Sequence, residues 1–263
     1  MNIEHEELWL SSKKIVNIHD LSHLYNLTEL FLSNNLIETV DVNMLPPNLN
    51  YLNLGYNNIQ EISTNCFTSK LKVLNLQHNQ IHTINKHVFP ENIEELDLGF
   101  NQLESLCHNM FPSKLKILYL GNNKIKKCKN IYFPSGLCEL YLDNNEIPAI
   151  FNDSFPNTLK ILDLSSNKIR RLRFPCFPKN LDELILSYNL IQYVKHNIFL
   201  EGLRILYLDH NKIFMIEEDT FPSSLILLHL QHNKIECIKE KYLPKNIVSL
   251  NVSCNPQGGC KFT

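Results

Sequence analysis

Residues 115–136 read LKILYLGNNKIKKCKNIYFPSG, and residues 137–158 read LCELYLDNNEIPAIFNDSFPNT. The second stretch repeats the first: Leu115, Leu118, Leu120, Asn123, Ile125 and Phe133 return as Leu137, Leu140, Leu142, Asn145, Ile147 and Phe155. Outward from this pair, asparagine recurs at the same interval, at Asn35, Asn57, Asn79, Asn101, Asn123, Asn145, Asn167, Asn189, Asn211, Asn233 and Asn255, with no insertion or deletion. Lys13 holds the same phase one step earlier, which makes twelve units with a degenerate first one. Self-similarity at a fixed period of this length marks a solenoid, in which each unit is one coil of a stack.

Each position of the unit has a physical assignment. The LxL segment alternates apolar and polar residues, so it predicts a short strand with Leu118 and Leu120 inward and Tyr119 outward. Stacked coils align these strands into one parallel sheet. The asparagine follows where the chain turns, and its short amide can satisfy backbone groups that the turn leaves unpaired. Ile125 and the phenylalanines Phe89, Phe111, Phe133, Phe155, Phe177, Phe199 and Phe221 then fill the return half, with the rings stacked as a spine. Proline follows that phase in most units, Thr68 and Leu200 being exceptions, and it supplies no N–H for a continuing helix. The returns are therefore expected to be extended or 3₁₀.

The pattern LxxLxLxxNxIxxI followed by Phe-Pro resembles the leucine-rich-repeat family over nearly the whole chain. The 22-residue length and the NxIxxI segment look like the phosphatase-regulator subclass, and the Pro-x-x-Leu lead into the strand is similar to bacterial effector repeats. Composition and the FPxxL pattern most resemble the leucine-rich-repeat proteins of giant DNA viruses that infect amoebae. The resemblance implies an α/β-type repeat solenoid, a horseshoe with a parallel sheet on its concave face and extended or 3₁₀ returns on its convex face. It also implies a binding role without catalytic residues. A single domain over 1–263 is expected, with 1–24 as a degenerate capping repeat, 25–255 as regular repeats and 256–263 as a short tail. That tail looks like a shortened form of the cysteine-rich cap of extracellular family members, in which Cys254 and Cys260 could pair. An uncapped C-terminal edge would permit self-association.

The charge balance, 25 Lys and Arg against 27 Asp and Glu, gives no global attraction to nucleic acid or membrane. The first residues, MNIEHEELWLSSKK, carry acids where a signal peptide is basic, which predicts an intracellular, cytoplasmic protein that is not secreted. Eight cysteines in such a chain are expected to be free thiols, with Cys128 in a core phase and Cys107 near it. Cys66 and Cys176 share a phase but stand five coils apart. No cofactor is expected: seven scattered glycines build no phosphate loop, and His5-Glu6 opens a zinc-like HExxH that fails at Leu8. His78, His210 and His232 share one phase, so His210 and His232 are neighbours, either as a solvated pair or as a weak metal site.

Function is expected on the outward positions of the sheet. In the three central outward columns acids occur at Glu7, Glu29, Glu95, Asp97, Glu139, Asp143, Asp163, Glu183 and Asp209, and Lys or Arg at none. Between Glu95 and Ile205 one column alternates Glu with Ile, spacing its acids by about 10 Å and limiting repulsion between strand neighbours. Lys116, Lys160 and Arg204 flank these columns and are expected to neutralise part of their field. Tyr119, Tyr141 and Tyr207 add contact area at low entropy cost. The expected activity is thus non-catalytic protein binding, with a basic segment of the partner gripped by Glu95, Asp97, Tyr119, Glu139, Tyr141, Asp143, Asp163, Glu183, Tyr207 and Asp209. The bland alternative is an ordinary solvated surface. Two rivals stand beside it. A basic flank, Lys124, Lys126, Lys127 and Lys129, then Lys168, Arg170, Arg171 and Arg173, could bind phosphate or nucleic acid, although no aromatic residue interleaves it. The chain could also target an enzyme such as a phosphatase.

Overall fold

The computed structural model describes residues 6–107, 110–127, 131–151, 154–173 and 177–256. His5, Cys128, Lys129, Cys176 and Cys260 lie outside these ranges. Contacts divide the chain into two compact units, Met1–Ile125 with Ile131–Leu137, and Lys126–Asn130 with Cys138–Thr263.

Among its described residues the first unit carries six strands, β1 Glu7–Trp9, β2 Glu29–Phe31, β3 Tyr51–Asn53, β4 Val73–Asn75, β5 Glu95–Asp97 and β6 Ile117–Tyr119. All pair in parallel with each residue opposite its counterpart in the next repeat, as in Glu95↔Ile117 and Asp97↔Tyr119. The second unit carries β7 Glu139–Tyr141, β8 Ile161–Asp163, β9 Glu183–Ile185, β10 Tyr193–Val194, β11 Ile205–Tyr207, β12 Met215–Ile216, β13 Leu227–His229 and β14 Ser249–Asn251. There the main sheet runs β7-β8-β9-β11-β13-β14, while β10 and β12 form a separate parallel ladder on the return side. Among the described residues helix is limited to two 3₁₀ turns, Val42–Met44 and Glu240–Tyr242, so the chain is a parallel-sheet solenoid with extended returns. No described helix is long and apolar enough to cross a membrane.

Strands this short have too little ladder to stand alone, and the interior supplies what they lack. Leu159, Leu162, Leu164, Ile169 and Leu172 are buried in one coil, and their counterparts Leu181, Leu184, Leu186, Ile191 and Val194 are buried in the next. The phenylalanine spine forms as expected, with ring centroids 6.0 Å apart between Phe111 and Phe133, 6.0 Å between Phe177 and Phe199, and 6.3 Å between Phe199 and Phe221.

The asparagines from Asn35 to Asn233 are buried and joined to backbone on both sides. The Asn167 amide nitrogen donates to the carbonyls of Leu164 (3.1 Å) in its own coil and Leu142 (2.9 Å) in the coil before, and its oxygen accepts from Ile147 N–H at 3.0 Å. Asn189 repeats this one coil later, on Leu186, Leu164 and Ile169. The Leu164 carbonyl therefore receives two amides, one from Asn167 and one from Asn189. Lys13 breaks the series in the first coil, but Asn35 still reaches back to the Leu10 carbonyl and to the N–H groups of Lys13 and Ile15.

Leu164→Ala should lower the unfolding free energy by roughly 2–5 kcal/mol as a buried cavity. Asn167→Ala orphans one buried N–H, that of Ile147, because each carbonyl keeps a second donor, and should cost about 1–3 kcal/mol. In Asn167→Ala/Asn189→Ala the Leu164 carbonyl loses both donors, so the pair should be non-additive by about 0.5–3 kcal/mol. Urea denaturation of wild type, the two single variants and the pair checks this, and simple additivity would remove the shared carbonyl from the account.

Candidate functional site

In β2 to β9, β11 and β13 the central leucine is buried and its two neighbours are half-buried, pointing outward, because side chains alternate across a strand. On the first unit this places Glu95, Asp97 and Tyr119 on the outward face of β5 and β6. On the second it places Glu139 and Tyr141 on β7, Asp163 on β8, Glu183 on β9 and Tyr207 on β11, with Asp143 just past the end of β7. Register puts Glu139 opposite Ile161, Tyr141 opposite Asp163, and Glu183 between Ile161 and Ile205. The Glu–Ile alternation of the sequence is thus an alternation between adjacent strands.

Several of these side chains also have local duties. Asp97 accepts from Gly99 N–H at 2.9 Å and Asp163 from Ser165 N–H at 2.8 Å, closing the turn that follows the strand. Asn53, Asn75 and Asn251 make the same bond at the same phase, so the position requires an acceptor but not a charge. The Tyr141 hydroxyl donates to Glu139 at 2.9 Å, and the Asn144 amide donates to Asp143 at 2.9 Å. Asp209 departs from expectation. It is 7% exposed and accepts the Ser187 hydroxyl at 2.6 Å, so it is a buried hydrogen-bonding group and not a presented charge.

The flanking bases have partners beside the columns. Lys116 pairs with Glu94 at 2.5 Å, Arg204 approaches Asp182 at 3.6 Å, and Lys160 donates to the Asn180 carbonyl at 3.3 Å. Burial pushes the carboxyl of Asp97 above its usual range, against the pull of the Gly99 N–H. Burial likewise raises Asp163, opposed by its bonds to Ser165 and reinforced by Asp143. Glu183 is raised by burial, then by Asp182 and Asp163. Burial and the charges of Glu183 and Asp209 raise the Tyr207 hydroxyl too. The second unit thus holds acids that are partly desolvated and sensitive to one another.

The phase shared by His78, His210 and His232 carries a backbone feature that sequence did not reveal. The residue before each ladder asparagine has left-handed backbone, with φ of 56° at Tyr56, 50° at His78, 53° at Phe100, 57° at Tyr188, 51° at His210 and 55° at His232. Bulky side chains are rare there. Their rings stack from coil to coil, Tyr56–His78 at 4.1 Å, His78–Phe100 at 4.0 Å, Tyr188–His210 at 4.1 Å and His210–His232 at 4.2 Å. Stacked imidazoles direct their in-plane nitrogen lone pairs side by side, not onto one ion, which favours a solvated stack over a metal site. Among the described residues no group of three metal-binding side chains converges. Cys66, Cys107, Cys138 and Cys254 are free thiols as expected, and burial pushes the Cys66 thiol up to about 12. Cys237 corrects the expectation of free thiols throughout, since it is disulfide-bonded.

Two segments match leucine-rich-repeat family patterns, residues 47–90 and residues 155–170. These segments are leucine-rich repeats. No curated protein sequence matches it. Among solved leucine-rich-repeat structures it is similar to a chain of the TLR13–ssRNA13 complex, with 27% identity and a TM-score of 0.77 over 95% of this chain and 40% of that one. A chain of the LRIM1/APL1C complex gives 20% identity and a TM-score of 0.81 over 94% and 48%. A chain in the octameric complex of Latrophilin 3, Unc5D and FLRT2 gives 23% and 0.82 over 96% and 82%. This chain therefore spans less than half the length of the first two. The latter two likenesses carry the fold alone.

Asp163→Asn tests the divided duty of that residue. Asparagine keeps the acceptor for Ser165 and removes a charge whose folded pKa is raised. A raised carboxyl makes folding take up protons, so wild type gains stability as pH falls from neutral through the window just above the ordinary carboxylate range. The variant should equal or exceed wild type in thermal stability at pH 7, and the two should converge below that window. A variant less stable at pH 7 would mean that the charge itself holds the turn.

Proposed function

We propose that this protein is a non-catalytic scaffold that binds a basic segment of a protein partner on the outward sheet face of its second unit. The supporting observation is the set of Asp143, Asp163 and Glu183, in which burial and neighbouring carboxylates together raise Asp163 and Glu183. A cation placed against them relieves a repulsion that folding leaves in place. Tyr141 and Tyr207 stand on β7 and β11 on either side of these acids and supply apolar contact area. Glu139 orients Tyr141 through their hydrogen bond. Asp209 is left out because it is buried on Ser187. Glu95, Asp97 and Tyr119 occupy the corresponding face of the first unit and belong to the proposal only as further outward contacts there. The LRIM1/APL1C and FLRT2 structures, which are complexes with other proteins, support a protein partner by analogy of fold.

An octalysine peptide is a suitable probe. Its affinity should rise with pH through the window above the ordinary carboxylate range, because binding favours the ionised forms of Asp163 and Glu183, and should be flat above it. Asp143→Asn/Asp163→Asn/Glu183→Gln should slow association and flatten its salt dependence while leaving the fold intact. An unchanged rate and salt response in that variant would remove the sheet face from consideration.

A further inference from the structure

Along the sequence the basic residues on the return side of the second unit have no aromatic residue among them. Stacking changes that, because Tyr193 and Lys195 lie one coil beyond Arg171 and Arg173 at the same phases. The four side chains line one cavity of ≈490 Å³, within the roughly 300–1,000 Å³ typical of small-ligand sites. Its floor is apolar, with Leu172 and Ile198 buried. Arg171, Arg173 and Lys195 are exposed and bring three positive charges to its wall. Lys195 holds its ammonium 5.8 Å from the centroid of the half-buried Tyr193 ring. Glu217 is engaged by His196, which donates its backbone N–H at 3.0 Å and places Nδ1 at 2.6 Å.

We propose that this cavity binds a nucleotide unit of a single-stranded RNA, with the base against Tyr193 and the phosphates held by Arg171, Arg173 and Lys195. Two guanidinium groups offer planar forks that match phosphate oxygens, and a lysine adds a mobile point charge. A bare anion would need the cations but not the ring. Combining a positively charged groove with an aromatic platform is what a single strand requires, because every base has a face to stack while each phosphate needs a counter-charge. Tyr193 is fixed by its place in the β10–β12 ladder, opposite Met215, so the platform is set before the ligand arrives. This site is separate from the outward sheet face proposed for the protein partner, and either can fail without the other.

Fluorescence anisotropy of labelled decauridylate on the full chain tests the proposal. With three phosphate contacts and a slope near −0.7 for each, wild-type affinity should fall about 20-fold between about 50 and 200 mM salt. Arg171→Ala/Arg173→Ala/Lys195→Ala should lose that salt dependence along with most of the binding. Tyr193→Leu keeps an apolar strand residue and should weaken binding about tenfold with the salt slope retained. Uridine 5′-monophosphate should compete, and Asp143→Asn/Asp163→Asn/Glu183→Gln should bind at least as well as wild type. Absence of binding, wild-type affinity in Tyr193→Leu, failure of the mononucleotide to compete, or tighter binding of a phosphoserine peptide of equal charge would each overturn it.

Discussion

A primary amide serving four backbone groups in two coils is the interaction on which the rest of this structure depends. Each coil bends sharply after a very short strand and leaves carbonyls and an N–H pointing into an apolar interior. Leaving them unpaired would cost more than such short strands return. Asn57, Asn79, Asn101, Asn167, Asn189, Asn211 and Asn233 meet that demand with the same geometry each time. Leucines of uniform size can stack with one spacing only because the turn that carries them is held to one shape. The outward face inherits the same regularity, and this is why side chains one period apart form columns whose chemistry can be read as a surface.

That surface is a compromise between structure and recognition. Asp97 and Asp163 close turns with bonds that asparagine makes equally well elsewhere, so their charge is surplus to the fold. Surplus charge in a partly desolvated place is destabilising at neutral pH, and it invites an external cation. Asp209 shows the opposite outcome, where a neighbouring serine absorbs the acid into the structure.

How much could be read from sequence follows from what a fixed period conveys. Strands, ladder asparagines, the phenylalanine spine and the extended returns were legible because one residue type recurs at one phase and has one physical use there. The neighbouring His210 and His232 were legible, but the extension of their stack to Tyr188 was not, because that phase varies in type and its left-handed backbone normally selects glycine or asparagine. Asp209 was misjudged because the residue one period before it in the same column, Ser187, carries a hydroxyl that donates to its carboxylate, a partner that a count of charges does not register. The Tyr193 and Lys195 lining beside Arg171 and Arg173 was within reach, since moving one period on from each arginine gives it directly. It was missed because the basic runs were judged along the chain, where no aromatic interrupts them. In a solenoid the relevant neighbour is one period away.

The ladder also has a direction. Each asparagine completes the turn of the coil before it, through the N–H of Ile147 for Asn167 and of Ile169 for Asn189, while its own coil waits for the asparagine after it. A chain emerging from the ribosome N-terminus first would therefore always carry one unfinished turn at its growing end. Ordering of each coil lags synthesis by one full repeat. The nascent protein would become ordered as a front that trails the ribosome by a constant length of chain, with the most recent coil the one open to rearrangement.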